Sequence, residues 1–326
     1  MTLPRIHFIT FGGTISSVST VAGGPVEPTL DAAGIVAGVP QLADLVQIEA
    51  SDFPAYASFA VTPQNMLDLA REAKRGIDNG CAGVVITHGT DTIEETAYLL
   101  ALTLPRGVPI VLTGAMRNAS QTGSDGPANL LTAFQLASSP AAAGLGPLVV
   151  ANDEIHSARF ATKLHTSKAS TFSSPSAGLL GELTEGRADI WWQPRWNDYL
   201  GLPASLDGHR VELVLLAAGV SDVTLRAAAA AKPAGIVIEA TGGGHMLPPL
   251  LPLLDEIVAA GIPVVIASRG IAGATLESTY GMVGGEIDLA RRGTIAVGRL
   301  NGQKARLRLL VGTALSLDPR SLFPVR

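Results

Sequence analysis

Short runs of β-branched and other apolar residues alternate with helical patterns along this chain, and this alternation restricts the folds open to it. The helical patterns cover residues 63–79, 92–104 and 127–137. The runs predicted as strands are 6–11, 83–87, 109–113, 147–151, 212–217, 235–239 and 263–267. Strands that alternate with helices in this way predict a parallel sheet covered by helices on both faces. The sequence therefore predicts an α/β fold with a doubly wound, mainly parallel sheet.

A segment rich in tryptophan interrupts the alternation. Residues 191–199 contain all three tryptophans of the chain, and glycine and proline residues follow closely. A length of 326 residues suits two domains. We therefore predict a larger N-terminal α/β domain over residues 1–190, a linker over 191–211 and a smaller C-terminal α/β domain over 212–326. The tryptophans are expected to be packing residues, with stacking on a ligand as the alternative.

Composition argues against several classes of protein. The chain is 47% hydrophobic and 16% charged, which supplies a core and leaves too little charge for disorder, and its formal net charge is −5. Because no basic cluster with interleaved aromatics is present, no binding of nucleic acid is expected. The single cysteine, Cys81, cannot form an intramolecular disulfide and is expected to be a buried thiol.

The sequence shows neither a secretory signal nor a membrane span. No charged region followed by an apolar stretch precedes the strand at 6–11. The longest uncharged run, 126–152, contains three prolines and several polar residues. The cytoplasm is therefore the expected location, with no membrane partner.

The stretch 85–92, Val-Ile-Thr-His-Gly-Thr-Asp-Thr, joins a predicted strand to a helix. In an open α/β sheet, ligands bind at the carboxyl ends of the strands, where helix N-termini converge. Thr90 and Asp91 place a hydroxyl and a carboxylate side by side at such a point, where they can serve both chemistry and substrate recognition. Thr92 with Glu95 three residues later also fits a capping box, and helix capping alone is the alternative.

Two other strand ends carry reactive groups. The first predicted strand ends in Gly12-Gly13-Thr14, where two glycines let the backbone approach a ligand and Thr14 presents a hydroxyl. This segment fits neither Gly-x-Gly-x-x-Gly nor the Walker pattern, so nucleotide binding is not expected. Lys163 follows the strand at 147–151. A desolvated lysine there could act as a base, and a solvated surface amine is the alternative.

Together these motifs resemble those of the bacterial L-asparaginases, the family of L-asparaginase/glutaminase amidohydrolases. The resemblance covers almost the whole chain, and its most specific part is His-Gly-Thr-Asp-Thr followed by Glu-Glu-Thr-Ala-Tyr. The matching segments are Gly12-Gly13-Thr14-Ile15, 86–92, 94–98, 113–117, 124–126, Thr162-Lys163, 169–172 and 300–306.

The resemblance implies a role for each catalytic residue. Thr14 matches the nucleophile that attacks the side-chain amide and becomes an acyl-enzyme ester. Thr90, Asp91 and Lys163 match a second set, hydroxyl, carboxylate and lysine, that handles protons and positions the hydrolytic water. A threonine hydroxyl is a poor nucleophile at neutral pH and needs a neighbouring base, which agrees with this arrangement.

The resemblance also implies the substrate contacts, and it implies no metal or organic cofactor. Asp91 matches the carboxylate that holds the substrate α-ammonium group, and Ser58 falls where the family holds the α-carboxylate. Backbone N–H groups around Gly13 and Thr90 are expected oxyanion donors, each worth about 3 kcal/mol. The other residues expected to line the substrate site are Gly13, Gly89, Thr90 and Ala115.

Three features depart from the family pattern. The family carries a lid after the first strand, with a tyrosine that contacts the nucleophile; residues 16–30 contain no tyrosine, although a small glycine-rich lid is expected at 19–25. Phe59 stands where better-known members carry a glutamine, which should weaken substrate affinity or change selectivity. His245 lies where the family offers an asparagine to a neighbouring subunit, and it either replaces that asparagine or is a polar loop residue. Glu277 is a further candidate for the interface.

The resulting hypothesis is an amidohydrolase that converts L-asparagine to L-aspartate and ammonia. The resemblance implies a homotetramer, a dimer of dimers, with sites at the subunit contacts. The alternatives are a glutaminase-leaning amidase acting on L-glutamine, the amidotransferase subunit of transfer-RNA-dependent amidation, and a non-hydrolysing amino-acid sensor. The lack of a basic surface argues against the amidotransferase. Retention of Thr14 and Lys163 argues against the sensor.

Overall fold

The chain divides into two compact units, Met1–Gly201 and Leu202–Arg326. The computed structural model describes residues 2–18, 24, 27–28 and 30–324. Each unit has its own sheet and its own cluster of buried apolar side chains. A large, mainly parallel sheet and a separate smaller parallel sheet confirm the predicted fold class.

The first unit is built on an eight-stranded sheet with the order β12-β11-β8-β7-β6-β5-β1-β4. The adjacent strands β4, β1, β5, β6 and β7 pair in parallel in that order. Strands β8, β11 and β12 extend the sheet by antiparallel pairing. Two further two-stranded sheets are β2-β3 and β9-β10. The strands are β1 Arg5–Thr10, β2 Ser17–Val18, β3 Glu27–Pro28, β4 Gln47–Asp52, β5 Gly83–Thr87, β6 Ile110–Thr113, β7 Pro147–Ala151, β8 Glu154–Ser157, β9 Thr162–Lys163, β10 Phe172–Ser173, β11 Gly181–Thr184 and β12 Arg187–Ile190.

Helices cover the central strands of this sheet. Every residue of β5, β6 and β7 is buried, as expected for apolar strands with helices packed on both faces. Phe8 of β1 packs on Phe134, with ring centroids 5.4 Å apart, and so joins the sheet to a helix. The helices of this unit are α1 Ala32–Ala37, α2 Pro63–Asp78, α3 Ile93–Thr103 and α4 Gly126–Ala137.

The second unit has a four-stranded, fully parallel sheet with the order β13-β14-β15-β16. Ile236 and Ile238 of β14 are completely buried and belong to the core of this unit. Its strands are β13 Val211–Leu215, β14 Gly235–Ala240, β15 Val264–Ser268 and β16 Ile295–Ala296. Its helices are α5 Val223–Ala230, α6 Leu251–Ala259, α7 Glu286–Arg291, α8 Gly302–Ala314 and α9 Pro319–Leu322. None of the helices in the described ranges is both long and apolar enough to cross a membrane.

All seven predicted strands and all three predicted helices are present, with ends that differ by at most two residues. Cys81 is buried, as predicted, and burial raises the pKa of its thiol. Among the tryptophans, Trp192 packs against the core and Trp196 packs edge-on against Phe160 at 5.2 Å between ring centroids. Trp191 is 52% exposed, so the packing interpretation is wrong for that residue.

The capping box predicted at Thr92 and Glu95 is absent, because the Thr92 side chain makes no capping hydrogen bond. Its hydroxyl instead donates to the carbonyl of Ser58 at 2.8 Å. A capping box does form at the start of α2, where Thr62 and Asn65 satisfy each other's backbone N–H groups. Thr92 therefore ties two loops together.

Candidate active site

A cavity of about 300 Å³ lies at the carboxyl ends of the central strands of the first unit. This is the edge at which open α/β sheets bind ligands. Its lining residues are Gly13, Thr14, Ser17, Tyr56, Ala57, Ser58, Phe59, Gly89, Thr90, Asp91, Ala115, Met116, Lys163 and Thr166. The cavity therefore collects every predicted site residue of the first unit.

Strand pairing brings the loops of this cavity together. Thr10 of β1 is in register with Thr87 of β5, so the turns that follow these strands leave the sheet side by side. The N–H of Phe11 donates to the carbonyl of Thr87 at 2.9 Å. The N–H of His88 donates to the carbonyl of Thr113 at 2.9 Å and so joins the ends of β5 and β6.

Glycines allow these loops to touch backbone to backbone. Gly13 has a φ of +97°, and a Cβ atom placed on it would lie 2.5 Å from the N atom of Gly89. A Cβ atom on Gly89 would lie 2.6 Å from the Cβ of Ser58. Real Cβ atoms do not come this close to other heavy atoms, so a larger residue would push the loops apart. Besides any contact with a ligand, Gly13 and Gly89 set the distance between the three loops.

Lys163 is the centre of a charged network. Its Nζ donates to Thr90 Oγ1 at 2.8 Å and to Asp91 Oδ1 at 2.7 Å, and its side chain is only 14% exposed. The hydrogen bond from Lys163 holds the pKa of Asp91 below its ordinary value, and the hydroxyl of Ser58 adds to the effect. Ser58 Oγ donates to Asp91 Oδ2 at 3.2 Å. The solvated-amine alternative for Lys163 is thus wrong.

Thr14 is the first residue of a 3₁₀ turn, Thr14–Ser16, that follows the glycine pair. The carbonyl of Gly13 accepts from the hydroxyls of Ser16 and Ser17 at 2.8 and 3.0 Å, and from the N–H of Ser16 at 3.1 Å. Three donors to one carbonyl hold the backbone that leads into Thr14. The half-buried Thr14 thus lines the cavity from a firmly held turn.

His88 supports the floor of the site without lining it. Its Nδ1 lies 2.7 Å from the carbonyl of Gly89 and its Nε2 lies 2.8 Å from the hydroxyl of Thr96. A carbonyl oxygen can only accept, so Nδ1 carries the proton and Nε2 accepts from Thr96. Complete burial lowers the pKa of His88 to about 4. The ring is therefore neutral at physiological pH and holds the Gly89 carbonyl in place.

The carboxylate of Asp125 holds the cavity wall formed by Ala115 and Met116. Asp125 lies in the matching segment 124–126, for which the resemblance gave no role. Asp125 accepts from the N–H groups of Met116 and Arg117 at 2.9 and 2.8 Å. Asn129 donates from its side chain to the carbonyl of Gly114 at 2.9 Å. The loop after β6 thus has fixed backbone positions where it borders the cavity.

Tyr56 is a site residue that sequence reasoning missed. It lines the cavity together with Thr14, its N–H donates to the carbonyl of Phe11 at 3.1 Å, and its ring packs on that of Phe11 at 5.1 Å between centroids. The sequence feature that could have pointed to Tyr56 is its position two residues before Ser58. Phe59, at the rim, is 82% exposed.

His245 and Glu277 lie in the second unit, whereas the lining of this cavity comes from the first. His245 Nε2 is 3.2 Å from Glu286 Oε2, and its ring packs edge-on against Tyr280 at 5.0 Å between centroids. Glu277 lines a different cavity, of about 540 Å³, within the second unit. Neither residue is among those that line the Thr14 cavity. The predicted lid at 19–25 lies, apart from Gly24, outside the described residues.

The arrangement can support nucleophilic chemistry on a small zwitterion. Thr14 lines the same small cavity as a lysine that is hydrogen-bonded to a second threonine and to a carboxylate. Within the described ranges no three His, Cys, Asp or Glu side chains are grouped to hold a metal ion.

Comparison with known protein families gives two matches that together cover most of the chain. Residues 5–196 match the family model described as Asparaginase, N-terminal. Residues 210–322 match the one described as Glutaminase/Asparaginase C-terminal domain.

Individual proteins are similar to this chain over nearly their full length. A probable L-asparaginase of Deinococcus radiodurans is 40% identical over 316 residues, covering 95% of this chain and 92% of that protein. L-asparaginase 2 of Escherichia coli is 33% identical over 328 residues, covering 99% of this chain and 92% of that protein. The crystal structure of a probable cytoplasmic L-asparaginase from Campylobacter jejuni superposes with a TM-score of 0.86 at 30% identity and covers 98% of both chains.

Proposed function

The chain belongs to the asparaginase family and is an amidohydrolase, and from this premise we propose that it hydrolyses L-asparagine to L-aspartate and ammonia through an acyl-enzyme on Thr14. The observation that carries the proposal is the position of Lys163, hydrogen-bonded to Thr90 and Asp91 in the cavity that Thr14 lines. A lysine held in this way can pass protons between a hydroxyl and the reacting groups.

In the first half of the proposed reaction, Thr14 Oγ attacks the carbonyl carbon of the side-chain amide. The Thr14 hydroxyl proton passes through Thr90 and Lys163 to the amide nitrogen, the C–N bond breaks, and ammonia leaves. Backbone N–H groups near Gly13 and Thr90 would stabilise the oxyanion, at about 3 kcal/mol for each good donor. In the second half, water attacks the ester carbonyl carbon, and the same groups pass a proton of the water to Thr14 Oγ1. The ester C–O bond breaks, which releases aspartate and regenerates the threonine hydroxyl.

Ser58 and Asp91 are proposed to hold the two charged ends of the substrate. The lowered pKa of Asp91 keeps its carboxylate negative at neutral pH, ready for an α-ammonium group. The Ser58 hydroxyl that donates to Asp91 at 3.2 Å could turn to donate to an α-carboxylate. Fixing both ends would hold the amide against Thr14, which is how orientation contributes to rate. Gly89 and Ala115 would complete the substrate site.

The proposed assembly is a homotetramer built from two dimers, with no metal or organic cofactor and a cytoplasmic location. The location is supported by the description of the structural relative from Campylobacter jejuni. By the family resemblance, His245 or Glu277 of a neighbouring subunit would then reach the Thr14 site; both residues lie in the second unit of their own chain.

Glutamine is a second candidate substrate. Residues 210–322 match a domain named for both glutaminase and asparaginase. One extra methylene in a pocket is worth only about 1–3 kcal/mol, so the same site can accept both amides at different rates.

The proposal is tested by ammonia release from L-asparagine and L-glutamine, with the native protein, Thr14→Ala and Thr14→Ser side by side. We expect release by the native protein, none by Thr14→Ala, and a reduced rate with Thr14→Ser, which keeps a hydroxyl. Rapid quenching and intact-mass measurement should show one aspartyl group on the native protein and none on Thr14→Ala.

Turnover that survives in Thr14→Ala would disprove the threonine mechanism while leaving the activity intact. If the native protein released no ammonia from either amide while asparagine still raised its melting temperature, the result would instead indicate an amino-acid sensor.

A further inference from the structure

Glu94, a residue with no role in the proposed reaction so far, is in contact with the backbone that carries Lys163. We propose that Glu94 is the positioning residue for Lys163: its carboxylate fixes the short strand β9 so that the lysine amine reaches Thr90 and Asp91. This inference rests on the proposed function of Lys163, but it is argued from separate contacts and can be tested without turnover.

One carboxylate holds two consecutive residues of β9. Glu94 Oε2 accepts from the hydroxyl of Thr162 at 3.0 Å. Glu94 Oε1 accepts from the backbone N–H of Lys163 at 3.2 Å. Two hydrogen bonds from different oxygens to adjacent residues restrict both the position and the rotation of the strand.

The strand β9 needs such a tie because it is not part of the large sheet. It has two residues and, among the strands of the described ranges, pairs with β10 alone, where Phe172 is in register with Lys163. Side chains must therefore set its position relative to the loop after β5. Glu94 is suited to this task because it stands in the first turn of α3, next to the completely buried Ile93. The helix start is anchored in the core, and the carboxylate transmits that fixed position to β9.

Lys163 is thus held at both ends by one short segment of chain. Thr90 and Asp91 accept from its Nζ at 2.8 and 2.7 Å, and Glu94 accepts from its backbone N–H. The spacing of these residues along the β5–α3 connection fixes the distance between the backbone N–H and the Nζ of Lys163. If the backbone of Lys163 loses its contact with Glu94, the amine can still pair with exposed Asp91 but loses its alignment with Thr90.

Replacement by glutamine separates geometry from charge. In Glu94→Gln the amide oxygen can accept from the Lys163 N–H, and the amide nitrogen can donate to the Thr162 hydroxyl, which both donates and accepts. Glu94→Gln therefore keeps both contacts and removes the charge. Glu94→Ala removes both contacts. Glu95→Ala is the matched control, because it removes a carboxylate from the same first turn of α3.

The first experiment compares kcat and KM for asparagine among these variants. We expect Glu94→Ala to lower kcat by about 10²-fold, the effect of misplacing a catalytic group by about 1 Å, with KM changed by less than about threefold. Glu94→Gln should recover most of kcat, and Glu95→Ala should match the native protein. A kcat loss that is equal in Glu94→Gln and Glu94→Ala would show that the charge matters and would overturn the positioning role.

The second experiment measures the rate at which acetic anhydride modifies Lys163, followed by mass spectrometry and referred to exposed Lys232 in the same chain. We expect faster modification in Glu94→Ala and unchanged modification in Glu94→Gln. Thr162→Val, which removes one of the two contacts, should fall between them and serves if Glu94→Ala does not fold. Equal modification rates in all variants would overturn the proposal. Because this readout needs no turnover, it remains decisive if the native protein proves inactive on amides.

Discussion

Two glycines decide how closely the loops of the candidate active site approach one another. Gly13 and Gly89 lie where a Cβ atom would come within 2.5–2.6 Å of a neighbouring backbone or side-chain atom. The sequence indicated that a Gly-Gly pair allows close approach, but it did not indicate what approaches. The structure shows that the neighbours include other parts of the same protein.

Gly89→Ala adds a single methyl group and is nevertheless expected to lower the activity of the site strongly. The added methyl group would displace Ser58, whose hydroxyl donates to Asp91. A shift of about 1 Å predicts a fall in kcat/KM of about 10²-fold. The measurement is ammonia release from asparagine, with Gly107→Ala as the control, because a Cβ atom there would meet nothing within 4 Å. A Gly89→Ala protein as active as the control would contradict the close contact.

The junction between β5 and α3 depends on a buried, neutral histidine. His88 donates to the Gly89 carbonyl at the end of the strand and accepts from Thr96 in the helix. In the sequence, His88 is part of a motif at a strand end, and the residue pattern assigns it no role of its own. Its complete burial and its two hydrogen bonds give it the task of joining two elements.

The stability of the first unit should therefore decrease in mild acid. The pKa of His88 is about 4 in the folded protein, below its ordinary 6.5, so the unfolded chain takes up the proton first as the pH falls. The free energy of unfolding should drop between pH 6.5 and about 4, by roughly 3 kcal/mol for this group.

Urea unfolding at several pH values, followed by tryptophan fluorescence, measures this effect, because all three tryptophans lie in the first unit. His88→Asn should flatten the pH dependence, and exposed His209→Asn should leave it unchanged. If both variants kept the full acid dependence, another group would be responsible.

At the scale of elements, the sequence predicted those whose pattern is strong. Strands β5 and β7 are mostly apolar and buried at every position, and they were predicted with their observed ends. Among the strands that were not predicted, β4 and β12 have polar or half-exposed residues at many positions, because they lie at the two edges of the large sheet. An edge strand is defined by the neighbour it pairs with, and that neighbour is distant in sequence.

Over the whole molecule, the candidate site joins residues that no local pattern could connect. Lys163 lies 73 residues beyond Thr90, and a family resemblance supplied the pairing that the structure then placed at 2.8 Å. The supporting contact from Glu94 could not be predicted, since it depends on where a two-residue strand falls against a helix start. Tyr56 was missed because it lies on the connection after β4, an edge strand that the sequence did not predict.

The proposed sharing of sites between subunits can be tested by mixing two variants. Thr14→Ala and Glu277→Ala should each have little activity alone. In a mixed dimer, one site combines an intact Thr14 with an intact Glu277 from the neighbour, so a random mixture should recover about a quarter of the native activity.

Mixing Thr14→Ala with Thr90→Ala is the control, because both residues line the same cavity of one chain and every site would stay defective. Light scattering should also give the mass of four chains, each of 33.5 kDa. A monomeric mass, or no recovery in the first mixture, would contradict site sharing.

The contact between loops at the floor of the cavity also limits how this pocket could be adapted to another amide. Where Gly13, Gly89 and Ser58 touch, the two glycines have no side chain to shorten and there is no space to add one, so single changes there are costly and their effects should be strongly non-additive. Phe59 at the rim stands largely in solvent, so a substitution there disturbs little packing. Selection for a longer or bulkier amide would therefore find its first tolerated substitutions at the mouth of the pocket.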